Sequence, residues 1–189
     1  MGCDIHPFIE YKNSDSWSFF ASVHIDRDYG LFHCLAAVRG YDAEVKPISE
    51  PKGMPKDISS AVIDEYCYFI SESNDDSHIS KEKAEEYIKS GSSERFDEYH
   101  ITRPDWHSAS WLTLSEVKEA YKRYLNYYKA YIEKPIDVKT SDEFHKFIEE
   151  TKNIHKPIER NKDIEAVIAC MESLSLNCDD VRLVFWFDN

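Results

Sequence analysis

The chain has 189 residues, which at roughly 150 residues per domain predicts a single domain, 1–189, around one sizeable core. Lys plus Arg number 23 against 36 Asp plus Glu, and the formal charge of −13 excludes a non-specific duplex-binding protein, which needs a basic footprint to displace counterions. Aromatic residues make up 14% of the chain, too much large apolar surface for a disordered acidic polypeptide, and the five glycines are too scattered for a dinucleotide fingerprint or a phosphate-cradling loop.

In chain order, Ile5 to Tyr11 alternates, Asn13 to Ser16 supplies turn residues, and the aromatic run Trp17 to Val23 follows, a pattern that predicts a hairpin. Leu31 to Arg39 has helical spacing in Leu31, Leu35 and Val38, with Gly40 as the expected stop. Residues 41–56 carry Pro47, Pro51, Gly53 and Pro55 and read as an irregular surface loop, followed by a short helix from Ser59 to Tyr68. Asn74 to His78 reads as a polar turn, and Ser80 with Lys83 to Lys89 as a solvated helix ending at Gly91. Ser92 to Ser110 is less regular.

Thr113 stands three residues before Glu116, a capping box that opens the longest helix, whose stripe of Val117, Tyr121, Tyr124, Leu125, Tyr128 and Ile132 marks a core face. Pro135 ends it. Ser141 to Lys152 and Asn161 to Leu174 predict two more helices, and Val181 to Phe187 alternates as a final strand. The fold class expected is α+β, a small antiparallel sheet of the N-terminal hairpin plus the C-terminal strand. Several helices cover one face, and the two chain ends lie side by side.

No apolar run approaches the roughly 18 residues that cross a bilayer, no signal-peptide layout opens the chain, and His6 stands where a myristoylation signal wants Ser or Thr. Cys3, Cys34, Cys67, Cys170 and Cys178 form an odd set with no CxxC pair, which suits a reducing compartment. The location expected is cytoplasmic, with no membrane partner.

Asp4 and His6 leave the same face of the first strand, so they can act as an acid/base pair or hold a hard or borderline metal. A divalent zinc or manganese site would need about three protein ligands, and Asp4, His6, Asp28, His107 and Asp188 are the set considered. Asp28 can equally cap the helix that follows it, and a polar outer face of the hairpin accounts for Asp4 and His6 without chemistry. Arg27 and Arg39 are scarce cations whose guanidinium forks suit a phosphate, ion pairing with nearby carboxylates being their commoner fate. The densest cluster holds Arg103, Asp105, Trp106, His107, Ser108, Ser110 and Trp111, where an indole can stack on a base and the hydroxyls can bind a ligand. A packed corner with the indoles in the core is the competing account.

The opening MGCDIH with its aromatic hairpin, the segment DRDYGLF with VRG after it, HSASWLT and the ending VRLVFWFDN resemble a family of small uncharacterised proteins of bacteriophages and bacterial genomes. The likeness runs from first residue to last, with residues 75–100 and 135–165 peculiar to this chain. It implies a phage accessory protein, placed in the host cytoplasm, of a kind that often antagonises host defence by destroying or sequestering nucleotide signals. The function expected on both grounds is a phosphodiesterase or other hydrolase of a small nucleotide. In it, Asp4, His6 and His107 would be catalytic, and Arg27, Arg39, Trp106, Ser108, Ser110 and Trp111 would bind substrate. The alternative is a sponge that captures the nucleotide between Trp106 or Trp111 and the arginines and releases it unchanged.

Overall fold

The computed structural model describes residues 2–40, 45–133 and 160–188. Ile5–Asn13 (β1) and Ser16–Ser22 (β2) form the expected hairpin, turning through Ser14 in the left-handed region. Helix α1, Tyr29–Ala36, opens where the Asp28 carboxylate accepts the Leu31 N–H at 3.1 Å. It stops at Ala37 (φ 59), earlier than the expected end at Arg39 and Gly40. Gly40 serves a different purpose, since a Cβ there would collide with the His33 imidazole.

The expected helix from Ser59 to Tyr68 is shorter, Ser60–Tyr66 (α2), because Cys67–Ile70 turns directly into strand β3. His78–Ile79 (β4) pairs parallel to β3, and Lys81–Ser90 (α3) is the expected solvated helix, capped by Ser80 and stopped by Gly91 at φ 74. The stretch expected to be irregular contains His100–Thr102 (β5) and His107–Thr113 (β6). Leu114–Glu133 (α4) follows, and the capping box is reciprocal: Glu116 accepts the Thr113 N–H at 2.9 Å and Thr113 Oγ1 accepts the Glu116 N–H at 3.3 Å. Lys162–Ser175 (α5), capped by Asn161, and Asp180–Phe187 (β7) complete the order. The helix expected over 141–152 lies outside the described residues, as do the side chains of Tyr128 and Ile132.

The fold is α+β. β7 pairs antiparallel with β1 from Ile5↔Phe187 to Lys12↔Asp180, as expected, and β6 takes the other edge of β7, so the main sheet is four-stranded in the order β2-β1-β7-β6. A second, three-stranded sheet runs β4-β3-β5. Both faces of the main sheet are covered, which corrects the expectation of helices on one face. Val181, Leu183, Phe185 and Phe187 pack with α1, α4 and α5, whereas Val184 and Trp186 pack with Phe8, Val62, Tyr66 and Ala109. Seven consecutive residues of β7 are therefore buried, as befits a central strand.

Arg182 ties the second face together. Its guanidinium, 3% exposed, donates to Glu10 at 2.8 Å and to Asp57 at 2.8 Å, and lies 3.8 Å over the Trp17 ring. Glu10 in turn accepts the Ser59 N–H at 2.7 Å, which fixes the start of α2 against the sheet. A buried ion pair with its remaining hydrogen bonds satisfied is the tolerable form of an expensive arrangement.

Candidate functional site

The sheet places the expected site residues in several separate environments. At the joined chain ends, the Asp188 N–H donates to Asp4 O at 3.1 Å, the Asp4 N–H donates back to Asp188 Oδ1 at 2.9 Å, and His6 Nε2 donates to Asp188 Oδ2 at 3.0 Å. The His6 ring is stacked on Trp106 and Trp186, with centroids 5.5 and 5.8 Å away. Arg27 is committed to Asp4 through both arms of its fork, at 2.8 and 2.6 Å, and this pairing holds the Asp4 carboxyl below the usual carboxylate range. Asp4, His6 and Arg27 share a cleft of about 540 Å³, but its cation is already neutralised.

His107 is elsewhere. Its ring stacks on Phe187 at 6.1 Å, whereas His6 stacks on Trp186; neighbours along β7 project to opposite faces, so the two imidazoles do not face one cleft. Asp28 is also consumed, by the α1 cap, by the Tyr124 hydroxyl at 2.6 Å and by Asn161 Nδ2 at 3.3 Å. Asp4, His6, Asp28, His107 and Asp188 consequently do not assemble a zinc or manganese site. Among the described residues the donors that converge within 4.8 Å are His24, Asp26 and Asp163. They sit at the surface, where a His24–Asp26 pair at 2.8 Å and a bond from the Asp26 N–H to Asp163 at 2.9 Å account for them.

Ser110 is buried and accepts the Lys52 N–H at 3.2 Å, and Trp111 lies under Lys52 Nζ at 4.4 Å. Arg39 approaches the Cys3 thiol, which burial pushes up despite the guanidinium. The N-terminus of α4 offers no anion site, because Glu116 occupies it. Burial pushes that carboxyl up, but bonds from Lys52 and Thr113 outweigh the burial and hold it below its ordinary value.

A cavity of about 670 Å³ is built from the segment before α2, α2 itself, the α3–β5 connection and the start of β6. Tyr66, Phe96 and Trp106 form an aromatic wall: Tyr66 meets Phe96 edge-on at 6.4 Å and stacks on Trp106 at 6.0 Å. Lys56 and Arg95 stand exposed on its walls beside a single carboxylate, Glu94. Burial, with the charges of Cys67 and Glu94, pushes the Tyr66 phenol up to about 12, so it remains a neutral hydroxyl at physiological pH. Ser93 lines the cavity at 5% exposure and its Oγ has no hydrogen-bond partner. A buried hydroxyl without a partner costs about 1–3 kcal/mol, and of the three such serines among the described residues, Ser49, Ser59 and Ser93, Ser93 is the one that lines this cavity.

His107 and Ser108 form the partition between this cavity and a cleft of about 350 Å³ that includes Arg39 and Glu50. Ser108 is in the left-handed region (φ 52), its Oγ shares a hydrogen bond with His107 Nδ1 at 2.9 Å, and His107 Nε2 is buried without a partner. Trp106, His107 and Ser108 thus line one cavity, His107 and Ser108 also border the cleft of Arg39, and Asp4, His6 and Arg27 line a third, with Trp106 stacked on His6 between them. Tyr66, Ser93, Phe96, Lys56 and Arg95 were not legible in the sequence, for they come from segments whose local patterns signal only loop and helix. Compared with protein-family models, with curated proteins and with solved structures, the chain matches none.

Proposed function

We propose that the protein binds a small nucleotide in the cavity between α2, the α3–β5 connection and β6. The observation that carries this reading is the orphaned Ser93 hydroxyl on the same walls as three aromatic rings. The aromatic wall supplies a stacking surface for a base, Lys56 and Arg95 supply charge for phosphate, and Ser93 supplies a directional hydrogen bond. In a chain of charge −13 an anionic ligand is repelled over the general surface, so two cations against one carboxylate make this cavity a preferred point of approach. By the resemblance to phage accessory proteins, the ligand is a host-defence nucleotide signal and its capture withdraws it from use.

Cleavage is a second reading, favoured by Ser108 alone. A serine held at positive φ with its hydroxyl on an imidazole nitrogen is the local form of an activated nucleophile. Calorimetric titration against mono-, di- and cyclic nucleotides, followed by denaturation and chromatography of the ligand, tests both. A ligand returned intact supports capture, and one returned as fragments supports hydrolysis. Absence of binding across the panel overturns the proposal.

A further inference from the structure

The outer face of the small sheet carries a second feature, independent of the cavity. Tyr68, Ile70, Ile79 and Ile101 pack that sheet against α3. Residues adjacent in a strand project to opposite faces, so Phe69 points outward. It is 36% exposed, and Tyr99, 54% exposed, stacks on it at 6.2 Å and an interplanar angle of 15°. In the flanking strands His78 and His100 are the cross-strand partners of Phe69, and each meets its ring edge-on, at 5.3 and 5.2 Å. A carboxylate stands behind each imidazole: Asp97 at 2.9 Å from His100 Nδ1 and Asp75 at 3.8 Å from His78 Nδ1. Asp64 lines the cleft of about 300 Å³ beside Phe69.

We propose that this aromatic platform with its acidic rim docks an arginine-bearing basic segment of a partner protein. Two exposed π-faces attract a cation, and a planar guanidinium both stacks on the rings and pairs with the surrounding carboxylates. Charge excludes the other occupants. A second copy of a chain with charge −13, a nucleic acid backbone and an anionic bilayer would each bring negative charge to an acidic rim. The nearby guanidinium of Arg103 does not fill the platform, because it lies over Tyr68 at 4.6 Å and Trp106 at 5.3 Å and donates to Asp64 O.

The test is titration of a blocked, labelled tetra-arginine peptide into the intact protein at physiological salt, with tetra-lysine alongside. Phe69→Ala and Tyr99→Ala leave the net charge unchanged, so a general attraction to an acidic surface is unaffected by them. Each substitution is expected to weaken arginine-peptide binding by about 3-fold, and the pair by about 10-fold, with tetra-lysine binding more weakly than tetra-arginine throughout. Tyr99→Ala removes an exposed ring and carries the test alone if Phe69→Ala disturbs the sheet. Equal affinity for the parent and the Tyr99→Ala protein overturns the proposal. So does a parent dimer in sedimentation that Tyr99→Ala dissociates, since that would give the face to a second copy.

Discussion

His6 Nε2 donates to Asp188 Oδ2 at 3.0 Å across 182 positions of chain, and the other oxygen of the same carboxylate accepts the Asp4 N–H at 2.9 Å. One side chain therefore closes β1 onto β7 at the open end of the ladder. With its ring stacked on two indoles, His6 is a packing and clasping residue. His6→Ala should lower stability by about 1–2 kcal/mol, or a thermal midpoint shift of roughly 2–8 °C for a chain of this size, while nucleotide affinity changes by less than about 3-fold. Calorimetric melting and titration of one preparation measure both. An unchanged midpoint with lost turnover would return His6 to the acid/base role first expected of it.

Ser93→Ala separates the two signs that a ligand-binding hydroxyl predicts. In the free protein it removes an unpartnered buried polar atom, so the midpoint should stay level or rise. In the complex it removes a hydrogen bond worth about 0.5–1.5 kcal/mol, so nucleotide affinity should fall by roughly 2- to 13-fold. A lower midpoint with unaltered affinity would make Ser93 structural.

The arginines divide in the same way. Arg27→Ala should leave nucleotide affinity within about 2-fold of the parent, because its fork is already bidentate on Asp4. Arg95→Ala and Lys56→Ala should each weaken binding by roughly 3- to 10-fold, an exposed charge being worth less than a desolvated one. Raising the salt should narrow the difference. Titration at two ionic strengths checks this, and a strong effect of Arg27→Ala would move the phosphate to the chain ends.

Arg182→Met should cost about 3–5 kcal/mol, since it leaves the buried Glu10 carboxylate without its cation. Urea unfolding measures the loss, and Glu10→Gln added to the same chain should recover part of it. The substitution should also flatten the acid limb of stability. Burial pushes the Asp57 carboxyl up, but bonds from the Arg182 guanidinium and the Trp17 indole outweigh the burial and hold it below its ordinary value. A carboxyl lowered on folding stabilises fully above its unfolded pKa of about 3.9 and loses that contribution as the pH falls through the folded value. Asp4, lowered by Arg27, acts over the same window, so the parent should weaken progressively below about pH 4. A midpoint indifferent to pH between about 5 and 2.5 would contradict both assignments.

Local pattern carries a great deal of this protein. The hairpin follows from alternation interrupted by turn residues, the start of α4 from the Thr113–Glu116 box, the end of α3 from Gly91, and the pairing of β7 with β1 from their shared apolar alternation. Each is a relationship between neighbours in sequence, or the demand of one apolar strand for another, and needs no knowledge of distant packing.

Strand β6 shows where such reasoning stops. His107–Thr113 opens on His107, Ser108, Ala109 and Ser110 with a register shift among them, so its period is obscured, and only the unpaired edge of β7 makes it a strand. The sheet then decides the chemistry. His6 lies on β1 but Asp4 precedes the strand, Arg27 closes on Asp4, Asp188 closes on His6, and β7 stands between His6 and His107. The cavity draws Tyr66 from the end of α2, Ser93 and Phe96 from the loop after α3 and Trp106 from the approach to β6, a convergence that no local period encodes. The N-terminal hairpin, the capped helices and the meeting of the chain ends were thus determined by short-range propensity and apolar alternation. The identity of the site was decided by tertiary packing, because the groups that share a cavity are those whose backbones the two sheets bring together.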